Sequence, residues 1–73
     1  MTPEDALADL IAQWIDSQPH NERLQSCLEL RGHVDHLVAV HARELARLES
    51  WGVVGDVMGT SRQAAWQRYR EPA

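Results

Sequence analysis

The sequence predicts an all-α fold, and three observations carry that prediction. Apolar residues recur at three- and four-residue intervals along most of the chain. No stretch alternates apolar and polar residues as a half-buried strand does. Threonine, asparagine or serine, the residues that cap helix starts, stand before each periodic run. Four helices follow, or five if the long one is broken near Gly32.

The first helix is expected within residues 1–18. In Thr2-Pro3-Glu4-Asp5 the threonine can cap free amides, and proline fits the first helical position. The two carboxylates suit the positive end of the helix dipole. Leu7, Leu10, Ile11, Trp14 and Ile15 then form one apolar stripe, with Glu4, Asp5, Asp9 and Asp16 as its solvated face. Ser17-Gln18-Pro19 ends the helix, because the residue before proline is pushed out of helical geometry.

Asn21 is the expected cap of a long scaffold helix over 21–49, with Leu24, Leu28, Val34 or Leu37, Val38, Leu45 and Leu48 at roughly helical intervals. Gly32 in its middle costs about 1 kcal/mol against alanine, so a break there is an alternative. Ser50 caps a third helix from Trp51 to about Met58. Gly59-Thr60 reads as a tight turn, Ser61 caps a fourth helix to about Arg70, and Pro72 does not readily extend it.

Composition bounds what such a chain can do. Its 73 residues make one domain with a modest core, burying roughly 60% of the unfolded surface, so association with a second copy would help it. The single cysteine, Cys27, rules out an internal disulfide and points to an intracellular setting. Cys27 itself is expected as a small, buried or half-buried apolar residue. No apolar run reaches the ~20 residues needed to span a bilayer, and the acidic start does not suit a secretory signal, so a cytoplasmic location is expected.

Charge is uneven. Residues 1–50 carry four arginines and nine carboxylates, whereas residues 51–73 carry Arg62, Arg68 and Arg70 against Asp56 and Glu71, within a total of −4. This disfavours indiscriminate coating of nucleic acid but leaves specific contact open, since the local field governs.

The run WGVVGDVMGTSRQAAWQRYR, residues 51–70, meets the steric demands of two short helices joined by a turn. Gly55 supplies the small residue where the helices approach closely. Gly59 supplies a turn position tolerant of positive φ. Val54 and Met58 flank Gly55 on the inward face, and Ala65 lies on the inner face of the second helix. Gly52 has no such role and is only tolerated.

This run resembles the helix-turn-helix of small bacterial DNA-binding regulators. It is also similar to the DNA-reading module of sigma factors, in which W-x-x-I-G-x-x-L-G-[VI]-S-R recurs. Here the matching positions are Trp51, Val54, Gly55, Met58, Gly59, Thr60, Ser61 and Arg62. Thr60 departs from the usual Val or Ile, and Ala65 from a larger aliphatic. Both thin the small core, which Trp51, Trp66 or Tyr69 would then fill. Residues 1–30 match no family pattern.

The resemblance implies that the second helix enters the major groove of double-stranded DNA. Ser61 and the first amides would then hold a phosphate. Arg62, Gln63 and Gln67 would read base edges, and Arg70 would grip the duplex. Trp66 has two readings, contact with sugar or a thymine methyl, or a place in the core. Arg68 is expected to point back toward the preceding helices and a carboxylate.

One reading helix contacts few base pairs, so a homodimer is expected, through Leu7, Leu10, Ile11, Trp14 and Ile15 of the first helix, through the long helix, or through both. The stripe of the first helix could instead pack on its own chain. A small repressor-like regulator that occludes a promoter is the simplest implied mechanism. The alternative is a protein-interaction module, an adaptor or inhibitor, that uses the acidic first helix and keeps the helix-turn-helix as scaffold.

No catalytic constellation stands out. His33, His36 and His41 lie on one helix, which offers a tetrahedral metal two ligands at best, and neither Cys27 nor Asp35 obviously converges on them. Cys27 has no base placed beside it. A non-enzyme without metal or cofactor is expected.

Overall fold

The computed structural model describes residues 2–71. Among these, four helices and no strand are present: α1 (Pro3–Asp16), α2 (Arg23–Leu48), α3 (Trp51–Met58) and α4 (Arg62–Tyr69). The fold is all-α. Pro72 lies outside the described residues. The chain divides between His33 and Val34 into two compact units.

In the first unit, α1 starts on a full capping box. The Asp5 amide donates to Thr2 Oγ1 at 3.2 Å, and the Thr2 amide donates to Asp5 Oδ2 at 3.2 Å. At the other end, Arg23 turns back on the α1 carbonyl end. Its Nη2 donates to Asp16 O at 2.8 Å and its Nε to Gln18 O at 3.0 Å. A guanidinium there satisfies orphan carbonyls and complements the negative end of the dipole.

The apolar stripe of α1 is not buried. Leu7 is 58% exposed, Leu10 62% and Trp14 47%, while Ile11 and Ile15 are half-buried. Glu4, Asp5, Asp9 and Asp16 are exposed, as a solvated face should be.

Several expectations for α2 are corrected. The helix begins at Arg23 and ends at Leu48, inside the expected 21–49. Asn21 does not cap it. Asn21 lies in a turn closed by the Glu22 amide on Pro19 O at 2.8 Å, and the Ser26 amide takes Glu22 O as the helix begins. Gly32 does not break α2. A methyl group there would meet nothing within 4 Å, and the helical hydrogen bonding runs on past it. Four helices therefore stand, not five. Cys27 is exposed, neither buried nor half-buried.

The second unit holds the core. Ala42 of α2, Val54 of α3, and Ala65 and Tyr69 of α4 are buried, with Ala39, Leu45, Ala46 and Trp51 packed against them. Tyr69 and Trp51 thus supply the bulk that Thr60 and Ala65 withhold. Met58, expected on the inward face, is 37% exposed. It still lies on the inward side, lining an apolar depression with Val38, Ala42, Leu45 and Val54.

The α3–α4 junction is built from backbone. Gly59 has φ 71° and ψ 31°. Its amide donates to Asp56 O, and the Thr60 amide donates to Gly55 O at 2.8 Å. Together these form a Schellman motif that ends α3. A methyl group on Gly55 would lie 2.7 Å from Thr60 O and 3.0 Å from Ser61 C and O. Only hydrogen fits, because the obstacle is main chain and cannot rotate away.

The three glycines therefore predict three different outcomes in urea denaturation followed by circular dichroism. Gly55→Ala should lose about 1–3 kcal/mol through the forced backbone shift. Gly59→Ala should lose about 1–2 kcal/mol at its left-handed position. Gly32→Ala should gain up to about 1 kcal/mol, since the site is open and helical. Equal effects at Gly55 and Gly32 would contradict the close approach.

Candidate functional site

Helix α4 is placed by three local devices. Ser61, with extended backbone, accepts the Ala64 amide on Oγ at 3.1 Å, and the Ala65 amide takes Ser61 O at 3.0 Å. The turn before it is fixed by Gly55 and Gly59. Ala65, 1% exposed, and Tyr69, 8% exposed, then anchor one face in the core.

The remaining residues of α4 follow from helical geometry. With Ala65 and Tyr69 inward, Gln63, Gln67 and Arg70 project to the opposite side, and Arg62 and Trp66 lie on the flank between. All five are exposed, as is Ser61. The whole predicted set, Ser61, Arg62, Gln63, Trp66, Gln67 and Arg70, is thus accessible, and Arg62, Gln63, Trp66 and Arg70 are brought together along two depressions that share Trp66. Ser61 Oγ is already engaged as an acceptor from its own helix, which leaves its hydroxyl proton as the free donor.

Trp66 does not join the core. It is 41% exposed, and the Arg70 guanidinium lies 4.6 Å from its ring centroid. This is cation–π geometry between a residue of α4 and its C-cap four positions on. The pair presents a planar aromatic surface beside a fixed positive charge.

Arg68 departs from expectation. Its guanidinium lies 5.4 Å from the neighbouring Tyr69 ring centroid, and it makes no ion pair with a carboxylate among the described residues. The residue that ties α4 to the preceding helices is Arg43, whose Nε donates to Tyr69 O at 2.7 Å. It satisfies a carbonyl at the end of α4, where a cation also complements the dipole.

Arg43 and Arg47 were not singled out from sequence. The available signal was their i, i+4 spacing in the last turns of α2, which puts two guanidinium groups on one face just before the motif. Arg47 pairs with Glu44 at 2.7 Å, with both side chains largely in solvent. Both arginines line a depression of about 700 Å³ with Trp51, Trp66 and Arg70.

His33, His36 and His41 form no metal-ligating group of three or more among the described residues. No described helix is long and apolar enough to cross a membrane. No protein-family model, curated protein or solved structure matches the chain.

The Arg43 bond predicts a stability effect separable from the exposed surface of α4. Arg43→Met keeps most of the aliphatic stem and removes the charge-assisted donor. It should cost about 1–2 kcal/mol in urea denaturation. Arg68→Met, which removes no such bond, should stay within about 0.5 kcal/mol of the parent. If the two variants unfold alike, Arg43 does not hold α4.

Proposed function

We propose that the chain is a sequence-specific DNA-binding protein that reads the major groove through α4. It acts as a small cytoplasmic transcriptional regulator, binds as a homodimer and represses by occlusion. It carries out no catalysis. The observation that supports this best is the division of α4 into two faces. Ala65 and Tyr69 are buried, and the outer surface carries arginine and glutamine side chains at the helix start and one turn on.

The chemistry of those side chains suits base edges. Arginine can donate two parallel hydrogen bonds to guanine, and glutamine can both donate to and accept from adenine. Trp66 offers an apolar plane for deoxyribose or a thymine methyl. An anchored eight-residue helix, capped at its start and tied at its end, holds these groups in a fixed order.

The homodimer reading rests on α1. Leu7, Leu10 and Trp14 remain about half exposed or more along one stripe. A helix of 14 residues is marginal in water without an apolar partner. Two copies joined there, or through α2, would present two reading helices to two half-sites about 34 Å apart.

The same stripe favours a second reading, in which acidic α1 binds a different protein and the helix-turn-helix is scaffold. Fluorescence anisotropy with a pool of random duplexes, at several salt concentrations, separates the two. The DNA reading expects a tightly bound fraction whose log affinity falls linearly with log salt. Arg62→Ala/Gln63→Ala should lose the selected sequences while its circular dichroism stays unchanged, since both side chains are exposed. Absence of any binding at low salt would defeat the DNA reading and leave α1 as the functional surface.

A further inference from the structure

The surface of the second unit carries more than the outer face of α4. Trp51 of α3 and Trp66 of α4 both line two depressions, one of about 700 Å³ and one of about 410 Å³. Arg62 and Gln63 stand in the smaller one. Arg43, Arg47 and Arg70 stand in the larger. The two tryptophans make these neighbouring parts of a single groove that leads from the start of α4 to the last turns of α2.

The groove concentrates positive charge. Four of the chain's seven arginines line it, against the carboxylates Glu44 and Glu71, in a protein whose net charge is −4. Two of the four are already committed in part: Arg43 holds Tyr69 O, and Arg47 holds Glu44. The Arg47–Glu44 pair is 68% and 49% exposed, so water already competes for it and an incoming anion can displace the carboxylate at little cost. Arg70, stacked on Trp66, couples cation and aromatic plane in one place.

We propose that one strand of the DNA backbone lies along this groove, with its deoxyribose rings against Trp51 and Trp66 and its phosphates on Arg47 and Arg70. The assignment rests on the DNA reading of α4 and extends it. Arg62 and Gln63 lie at the end of the groove next to the base edges. Arg47 and Trp51, on two other helices, fix how deeply and at what angle α4 enters. Alternating cationic and aromatic surface is what a sugar–phosphate chain presents a match for: anionic oxygens separated by apolar ring faces. Contacts of this kind position a protein on the duplex and carry no sequence information.

Arg47→Gln is the direct test, because the side chain is exposed and its loss leaves the core intact. On a duplex selected by the parent protein, affinity should fall roughly three- to tenfold, and the slope of log affinity against log salt should drop by about one. The order of preference among duplexes should not change. Glu44→Gln, which frees Arg47, should tighten binding to all duplexes alike. In a Trp14→Phe background only Trp51 and Trp66 report, and their emission should change on adding the duplex but not on adding millimolar dAMP.

If Arg47→Gln and Glu44→Gln leave affinity and salt slope unchanged on a duplex that Arg62→Ala/Gln63→Ala no longer binds, the groove assignment is wrong while the reading of α4 stands. If dAMP changes the tryptophan emission and the duplex does not, the groove serves a free nucleotide and the strand assignment is overturned. If no duplex binds even at low salt, both fall together.

Discussion

The contact between Gly55 and the backbone of Thr60 and Ser61 is the constraint on which the rest depends. With a distance of 2.7 Å to Thr60 O from where a methyl carbon would stand, the main chain itself excludes any side chain. That approach lets the Thr60 amide reach Gly55 O and lets Gly59 take its left-handed conformation. The turn so closed delivers Ser61 in the extended conformation that caps α4. Ala65 and Tyr69 enter the core as a consequence, and the polar side of α4 is left outside. A handful of backbone contacts within twelve residues thus fixes which side chains the protein can present.

Such a junction suits a chain with little core. Only four apolar side chains are buried among the described residues, so hydrophobic burial alone gives α4 limited purchase. Caps, the Schellman motif and the Arg43–Tyr69 bond hold its ends instead. Charge follows the same economy. The acidic residues of α1 lie in the first unit, while four arginines gather around Trp51 and Trp66 in the second. A net negative protein can carry a locally positive groove, and the acidic remainder then disfavours contact elsewhere.

What was legible in the sequence was local. Gly55, Gly59, Ser50 and Ser61 declare their roles through steric and hydrogen-bonding needs that are satisfied within five residues, and each stands where it was expected. The same holds for Thr2 as the cap of α1, while the return bond from the Thr2 amide to Asp5 was not among the expectations. Contacts between distant residues were not legible. Arg43 and Tyr69 are 26 positions apart, and no periodicity links a guanidinium to a particular carbonyl. Arg68 was expected to meet a carboxylate of the preceding helices, and its guanidinium lies by the Tyr69 ring instead. Met58 keeps the face that helical spacing assigns it, beside Val54, Ala42 and Leu45, although it is 37% exposed. The single helix through Gly32 stands as expected, whereas the alternative of a break there and the burial of Cys27 do not. Propensity gives a cost for glycine within a helix without saying whether the flanking turns outweigh it, and a cysteine's apolar character does not place it on the packed side.

The proposed function requires the outer face of α4 to be the surface that meets DNA. Amide chemical-shift mapping of the ¹⁵N-labelled full chain, titrated with a duplex pool and then with its bound fraction, tests this most directly. The largest perturbations should fall on residues 61–70, on the Trp66 and Trp51 indole N–H signals, and on Arg47, with residues of α1 changed least. Perturbations concentrated on Leu7, Leu10 and Trp14, or none at any amide of α4, would contradict it.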